Sequence, residues 1–135
     1  MVIARFAQKG PASIRRIVDE EALPEDYVEQ LLLKLRRGKL IKSVRGVNGG
    51  YLLIRPAKEI SIRHVLEAVE GHTFEVICSR ARKPRKRQGR CHEQLCVLRD
   101  VWVELKARIE DHLDGITVQD LIDKEARDEK NSGSR

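Results

Sequence analysis

Three cysteines are the residues of this chain best suited to chemistry: Cys78, then twelve residues, Cys91, then four residues, Cys96. Thiolates are soft ligands that suit an iron–sulfur cluster or zinc, and three of them around one loop can hold three corners of such a site. Their number is odd, which argues against a disulfide framework and leaves metal binding, redox sensing or plain burial. Catalysis is a poor reading. Cys91 has His92 beside it, but neighbours in sequence seldom meet as nucleophile and base, and no oxyanion-hole glycine motif, phosphate loop or paired-carboxylate pattern accompanies them.

A second set of polar residues has a different chemistry. Tyr27, Glu29, Gln30 and Lys34 fall within one short stretch, and Ser43, Arg45 and Asn48 follow soon after. Such side chains donate to and accept from base edges and phosphates, provided a helix and a hairpin hold them in position.

The elements are legible from periodicity and punctuation. Ile3, Phe6 and Ala7 read as the end of a helix that Lys9-Gly10-Pro11 stops. Ser13 is an N-cap for a short helix carrying Ile14, Ile17 and Val18, and Leu23-Pro24-Glu25-Asp26 turns into a second helix. Val28, Leu31, Leu32 and Leu35 give that second helix one apolar stripe, and Gly38 ends it. Leu40 to Arg45 and Tyr51 to Pro56 are two β-prone runs around Gly46-Val47-Asn48-Gly49-Gly50, a hairpin in which Asn and Gly accept positive φ. Ser61 caps a helix with Ile62, Val65, Leu66 and Val69 on one face, closed by Gly71. His72 to about Leu95 has no steady period. A long helix then starts near Cys96, with Leu98, Val101, Trp102, Leu105, Ile109 and Leu113 on one stripe, and ends at Gly115. Ile116 to Ile122 is a short last helix, and Lys124 to Arg135 a polar tail.

The expected fold class is therefore mostly α with a small β-hairpin wing: a winged helix-turn-helix followed by a long dimerisation helix. The expected division is 1–60 for the winged helix-turn-helix, 61–95 for a linking helix and a cysteine-rich basic sensor loop, 96–115 for the dimerisation helix and 116–135 for the short helix and tail. In that fold the second helix enters the DNA major groove. Glu29, Gln30 and Lys34 would then reach base edges, Tyr27 and Ser43 phosphate, and Arg45 with Asn48 the minor groove.

Charge is arranged in blocks: +6 over residues 1–58, −3 over 59–79, +7 over 80–90 and −4 over 91–135. A basic N-terminal half suits a polyanionic partner, and the run from Arg80 to Arg90 is either a further phosphate contact or a solvated loop. Apolar residues make up 41% and charged residues 36%, the balance of a chain that folds rather than stays disordered. No stretch approaches the roughly 18 apolar residues of a membrane span, and the first residues lack the order of a secretion signal, so the expected compartment is the cytoplasm with no membrane partner. An RNA-binding accessory role would use the same charge, but only five Phe, Tyr and Trp are present to stack on bases.

The run Tyr27-Val28-Glu29-Gln30-Leu31-Leu32, the stretch Leu35 to Ile41, the wing Ser43-Val44-Arg45-Gly46 with Gly49-Gly50-Tyr51-Leu52-Leu53, and the helix Ile62 to Gly71 closely resemble the Rrf2 family of bacterial winged-helix transcription regulators, which includes IscR-, NsrR- and CymR-like members. The resemblance runs from about Ala4 to about Ile122. It implies a homodimer on a palindromic DNA operator, with Glu29 and Gln30 matching the base-reading part of the recognition helix and Arg45, Gly49 and Gly50 matching the wing. It also implies an Fe–S cluster, [2Fe-2S] or [4Fe-4S], on Cys78, Cys91 and Cys96, because cluster-binding members carry three cysteines just ahead of the dimerisation helix. Cys96 keeps the family's six-residue interval to Trp102. Arg99 stands where IscR-like members have a ligand histidine, which leaves His92 and Glu93 as nearby candidates for the fourth ligand. NsrR-like members take that ligand from the first helix of the other subunit, and the chain begins later in that helix than is usual in the family. The basic insertion between Cys78 and Cys91 lengthens the loop at small entropic cost. Zinc, or a clusterless thiol- or ligand-responsive repressor, is the alternative.

Overall fold

The computed structural model describes residues 1–7, 9–71 and 98–132. One turn of helix, α1 (Val2–Arg5), is capped at Phe6, whose ring lies 3.6 Å from the Arg16 guanidinium. Arg16 belongs to α2 (Ile14–Glu21), which starts where Ser13 Oγ accepts the Arg16 N–H at 3.3 Å. The N-cap read from Ser13 is thus present. α3 (Glu25–Arg37) follows after Pro24, with Glu25 and Asp26 in its first turn and Lys34, Arg36 and Arg37 in its last, each sign favourable to the helix dipole. Val28 and Leu32 are buried and Leu35 packs beside them, as the period of the stripe requires.

Gly38 ends α3, as its place in the sequence suggests. Gly38 has an ordinary φ of −73°, and the left-handed residue is Lys39 at 56°. The glycine is there because Ala68 of the helix that follows the hairpin lies against it, leaving no room for a Cβ. Leu40 N–H then donates to the Leu35 carbonyl at 3.0 Å, and the chain passes directly into β1 (Ile41–Val44).

β1 pairs antiparallel with β2 (Gly50–Leu53), Ile41 opposite Leu53 and Val44 opposite Gly50. In the turn, Gly49 N–H donates to the Gly46 carbonyl at 2.9 Å. The positive φ that was assigned to the Asn-Gly pair falls instead on Gly46, at 120°. A third piece of sheet gave no signal in the sequence: Ala12 and Tyr51 exchange both backbone hydrogen bonds, at 3.0 and 2.9 Å, so the hairpin is pinned in front of α2. A Cβ on Gly50 would collide with the Ala12 carbonyl, which explains a glycine at that strand position.

A 3₁₀ turn (Ala57–Glu59) leads to α4 (Ile62–Glu70), whose N-cap Ser61 forms a reciprocal capping box with His64: Ser61 Oγ accepts the His64 N–H and His64 Nδ1 accepts the Ser61 N–H at 3.1 Å. Gly71 closes α4 in the left-handed region, as its sequence suggested. α5 (Leu98–Asp114) is the long helix, and α6 follows. The last helix was expected to stop near Ile122; α6 (Val118–Ser132) runs on, opened by a Thr117–Asp120 capping box and seated on the core through Val118 and Ile122. Its remaining turns are polar on all sides, which is why periodicity did not show them.

The core is shared by α1, α2, α3, the hairpin, α4 and the start of α6. Ile60-Ser61-Ile62 joins it to Ile116-Thr117-Val118 through Ile62 N–H to Ile116 O and Val118 N–H to Ile60 O, both 2.9 Å. Arg63 ties α4 to α5, at 2.9 Å from Asp114 and 3.5 Å from Glu110. Among the described residues no helix is long and apolar enough to cross a membrane.

Candidate nucleic-acid interface

Burial of Val28 and Leu32 decides which way α3 faces. At about 100° per residue, Asp26, Tyr27, Gln30, Leu33, Lys34 and Arg37 lie on the side away from that buried pair, with Glu29 and Arg36 together on one flank. All eight are exposed. Gln30 therefore stands in the middle of a free helix face, with Lys34 and Tyr27, 51% exposed, to one side of it and Glu29 at its edge.

The hairpin presents the rest. Ser43, Arg45 and Asn48 are exposed, and Gly49 and Gly50 are half-buried where the wing returns to Ala12. Gly49 has a steric reason to be glycine, since a Cβ there would lie 2.5 Å from the Val44 carbonyl oxygen. At the tip Val47 is 105% exposed, so the wing projects as a bare loop. Only Gly38, Lys39 and Leu40 separate α3 from β1, which fixes wing and helix relative to each other.

Ion pairs among the described residues gather elsewhere: Arg5 and Arg16 on Glu20, Arg63 on Glu67, Glu110 and Asp114, Lys106 on Glu110, and Arg108 on Glu104. Arg63 and Asp114 show the effect of such pairing. Hydrogen bonds to Glu67 and Asp114 push the guanidinium further up, and the bond from Arg63, outweighing partial burial and helped by Ser61 Oγ, holds Asp114 below the usual carboxylate range. By contrast Lys34, Arg36, Arg37, Lys39, Lys42 and Arg45 have no carboxylate partner among the described residues. Six unneutralised cations along one helix end and one hairpin suit a polyanion.

Arg36, Arg37, Lys39 and Lys42 were not among the residues singled out from the sequence. Their signal was available in the period of α3 and in the absence of acidic residues between Glu29 and Glu59. The cysteines and their neighbours are a different matter. Cys78, Cys91, Cys96, His92 and Glu93, and the run from Arg80 to Arg90, lie outside the described residues. Among the described residues no group of His, Cys, Asp and Glu could hold a metal ion.

A family model described as Rrf2, iron-dependent transcriptional regulator, matches residues 1–124. The HTH-type transcriptional regulator IscR of Pectobacterium carotovorum is 34% identical over 120 residues, which is 89% of this chain and 70% of that protein. Among solved structures, T. potens IscR superposes with a TM-score of 0.68 at 31% identity, covering 90% of this chain and 76% of the other. CymR, the global cysteine regulator of B. subtilis, gives 0.67 at 28% identity, covering 88% and 83%.

Proposed function

Since this chain belongs to the Rrf2 family of transcriptional regulators, and is therefore a DNA-binding regulator and not an enzyme, we propose that it reads a palindromic operator as a homodimer and adjusts that binding through its cysteines. The observation that carries the reading is the free face of α3 beside a projecting wing, edged by six cations without acidic partners. In the major groove Gln30 would pair with an adenine edge and Glu29 accept from a cytosine amino group. Lys34 would reach a base or a phosphate, Tyr27 and Ser43 phosphates, and Arg45 with Asn48 the minor groove.

The second subunit would join through α5. No residue of that helix is buried, and Leu98, Val101, Trp102, Val103 and Leu105 are all exposed large apolar side chains. An apolar stripe of that length on a soluble protein calls for a partner surface, and a two-fold axis places two α3 helices on half-sites about one helical turn apart.

For the sensor, three thiolates are chemically suited to an Fe–S cluster, and Cys78, Cys91 and Cys96 would be its ligands with His92 or Glu93 as candidates for the fourth. Such a cluster, when bound, supplies sensitivity to iron–sulfur status, oxygen or nitric oxide. The segment holding these residues runs from the end of α4 to the start of α5. Arg63 clamps those two helices together, so a change in the segment bears on the joint between reading head and dimer helix. The likeness to a cysteine regulator supports a second reading, in which the same thiols respond without a cluster.

Binding to duplexes selected from a random pool tests the first part. Gln30→Ala should cost about 1–3 kcal/mol at one base pair per half-site, and Arg45→Ala should weaken binding or A·T preference. If both variants bind selected and random duplexes as the parent does, the docking is wrong. Anaerobic purification with visible absorption, iron and sulfide analysis tests the sensor: a colourless, iron-free protein that resists reconstitution yet binds DNA supports the thiol reading.

A further inference from the structure

Leu33 has no structural task. It lies on the outward face of α3, 39% exposed, and is absent from the side chains that pack on the core, whereas Leu32 before it is buried and Leu35 after it packs inward. Scattered exposed apolar residues are ordinary and call for no account. These are not scattered. From Lys9 to Gly71 the exposed large apolar side chains are Tyr27, Leu33, Val44, Val47 and Ile54, all on α3, on the hairpin or at the residue just after it. Among the other described residues they are Met1 and five side chains of α5. Apolar exposure in this region thus follows the surface with the unneutralised cations.

Position makes the inference specific. Leu33 is one helical turn beyond Glu29 and Gln30 and one turn before Arg37, on the same face. At about 1.5 Å per residue it stands roughly 6 Å along the axis from Glu29, close to two base steps of about 3.4 Å. A leucine in that place has no donor or acceptor to offer. The one apolar feature on a base edge in the major groove is the C5 methyl of thymine.

Resting on the operator-binding reading, we propose that Leu33 is a specificity-determining residue that packs on a thymine C5 methyl about two steps from the base pair read by Glu29. Reading the methyl removes it from water together with the end of the leucine, and favours thymine over a pyrimidine without the methyl.

The test uses the full chain and a duplex that the parent itself selects from a random-sequence pool. Each thymine is replaced in turn by deoxyuracil, which deletes only the methyl. One position per half-site should weaken parent binding about fourfold, the equivalent of ~0.8 kcal/mol for one buried methyl group, and Leu33→Ala should bind the two duplexes equally. Leu33→Met, which keeps apolar reach, should retain part of the preference. Circular dichroism of each variant should match the parent, since Leu33 supports nothing in the core. If the parent selects a duplex but no deoxyuracil position matters, or if Leu33→Ala keeps the preference, the Leu33 inference is overturned and the operator reading stands. If the parent selects no duplex at all, the operator reading itself has failed and the proposal goes with it.

Discussion

Gly38 lies against Ala68 so closely that a Cβ on Gly38 would stand 2.5 Å from the Ala68 Cβ. The end of α3 is therefore braced by α4, and the brace depends on a missing methyl group rather than on backbone freedom, because φ at Gly38 is −73°. Gly38→Ala should destabilise the fold by about 1–3 kcal/mol through overpacking. Ala68→Gly in the same chain should return most of it, a coupling that urea titration of the two single variants and the double variant measures. Additive effects would show that the contact does not govern the position of α3.

The neighbouring residue carries the opposite expectation. Lys39 holds φ at 56°, a region costly to any side chain with a Cβ, so Lys39→Gly should stabilise by roughly 0.5–1 kcal/mol. At the wing, Gly46 has φ of 120° and open space around a Cβ, which makes the cost of Gly46→Ala a matter of backbone alone, about 1–3 kcal/mol. Asn48→Ala should change stability little, since Asn48 does not occupy positive φ. Equal losses at 46 and 48 in thermal unfolding would restore the Asn-Gly turn that the sequence suggested.

What could be read in the sequence was whatever depends on near neighbours. Ser13 and Ser61 start helices because a hydroxyl three residues from an N–H is a local event, and the stripes of α3 and α4 repeat within the helix. The pairing of Ala12 with Tyr51 was not readable, because a single bridge across nearly forty residues leaves no period and no turn signal. Gly38 reads from the sequence only as the end of α3, and the reason it is glycine is Ala68, thirty residues away. At the candidate interface, Gln30 and Arg45 stood out by chemical type. Leu33 and Arg37 stand out only once the burial of Val28 and Leu32 fixes which face of α3 is free.

The joint between α4 and α5 has its own pH signature. Asp114 is held below the usual carboxylate range by Arg63, against partial burial and with help from Ser61. A carboxylate lowered in the folded state contributes stability above its unfolded value, near pH 4, and that contribution disappears as pH falls further through the lowered folded value. The parent should therefore lose some stability below about pH 4, and Arg63→Met should have a shallower acid slope. Parallel acid profiles for parent and variant, followed by fluorescence of Trp102 on α5, would remove this pair as the clamp.

The last prediction concerns the exposed stripe of α5. Trp102 is 38% and Leu105 39% exposed, and Ile109 and Leu113 continue the same face towards the clamp at Asp114. A charge at Leu105 would stay hydrated in a monomer but would be buried without a partner in a two-fold interface, where such a group costs several kcal/mol. Leu105→Glu should thus sediment as a monomer with parental circular dichroism, and should lose operator affinity because one reading head makes only half the contacts. Glu104→Ala, one residue away, removes only an exposed ion pair with Arg108 and should leave the assembly state unchanged. A parent that sediments as a monomer at micromolar concentration would leave the α5 stripe without a second subunit.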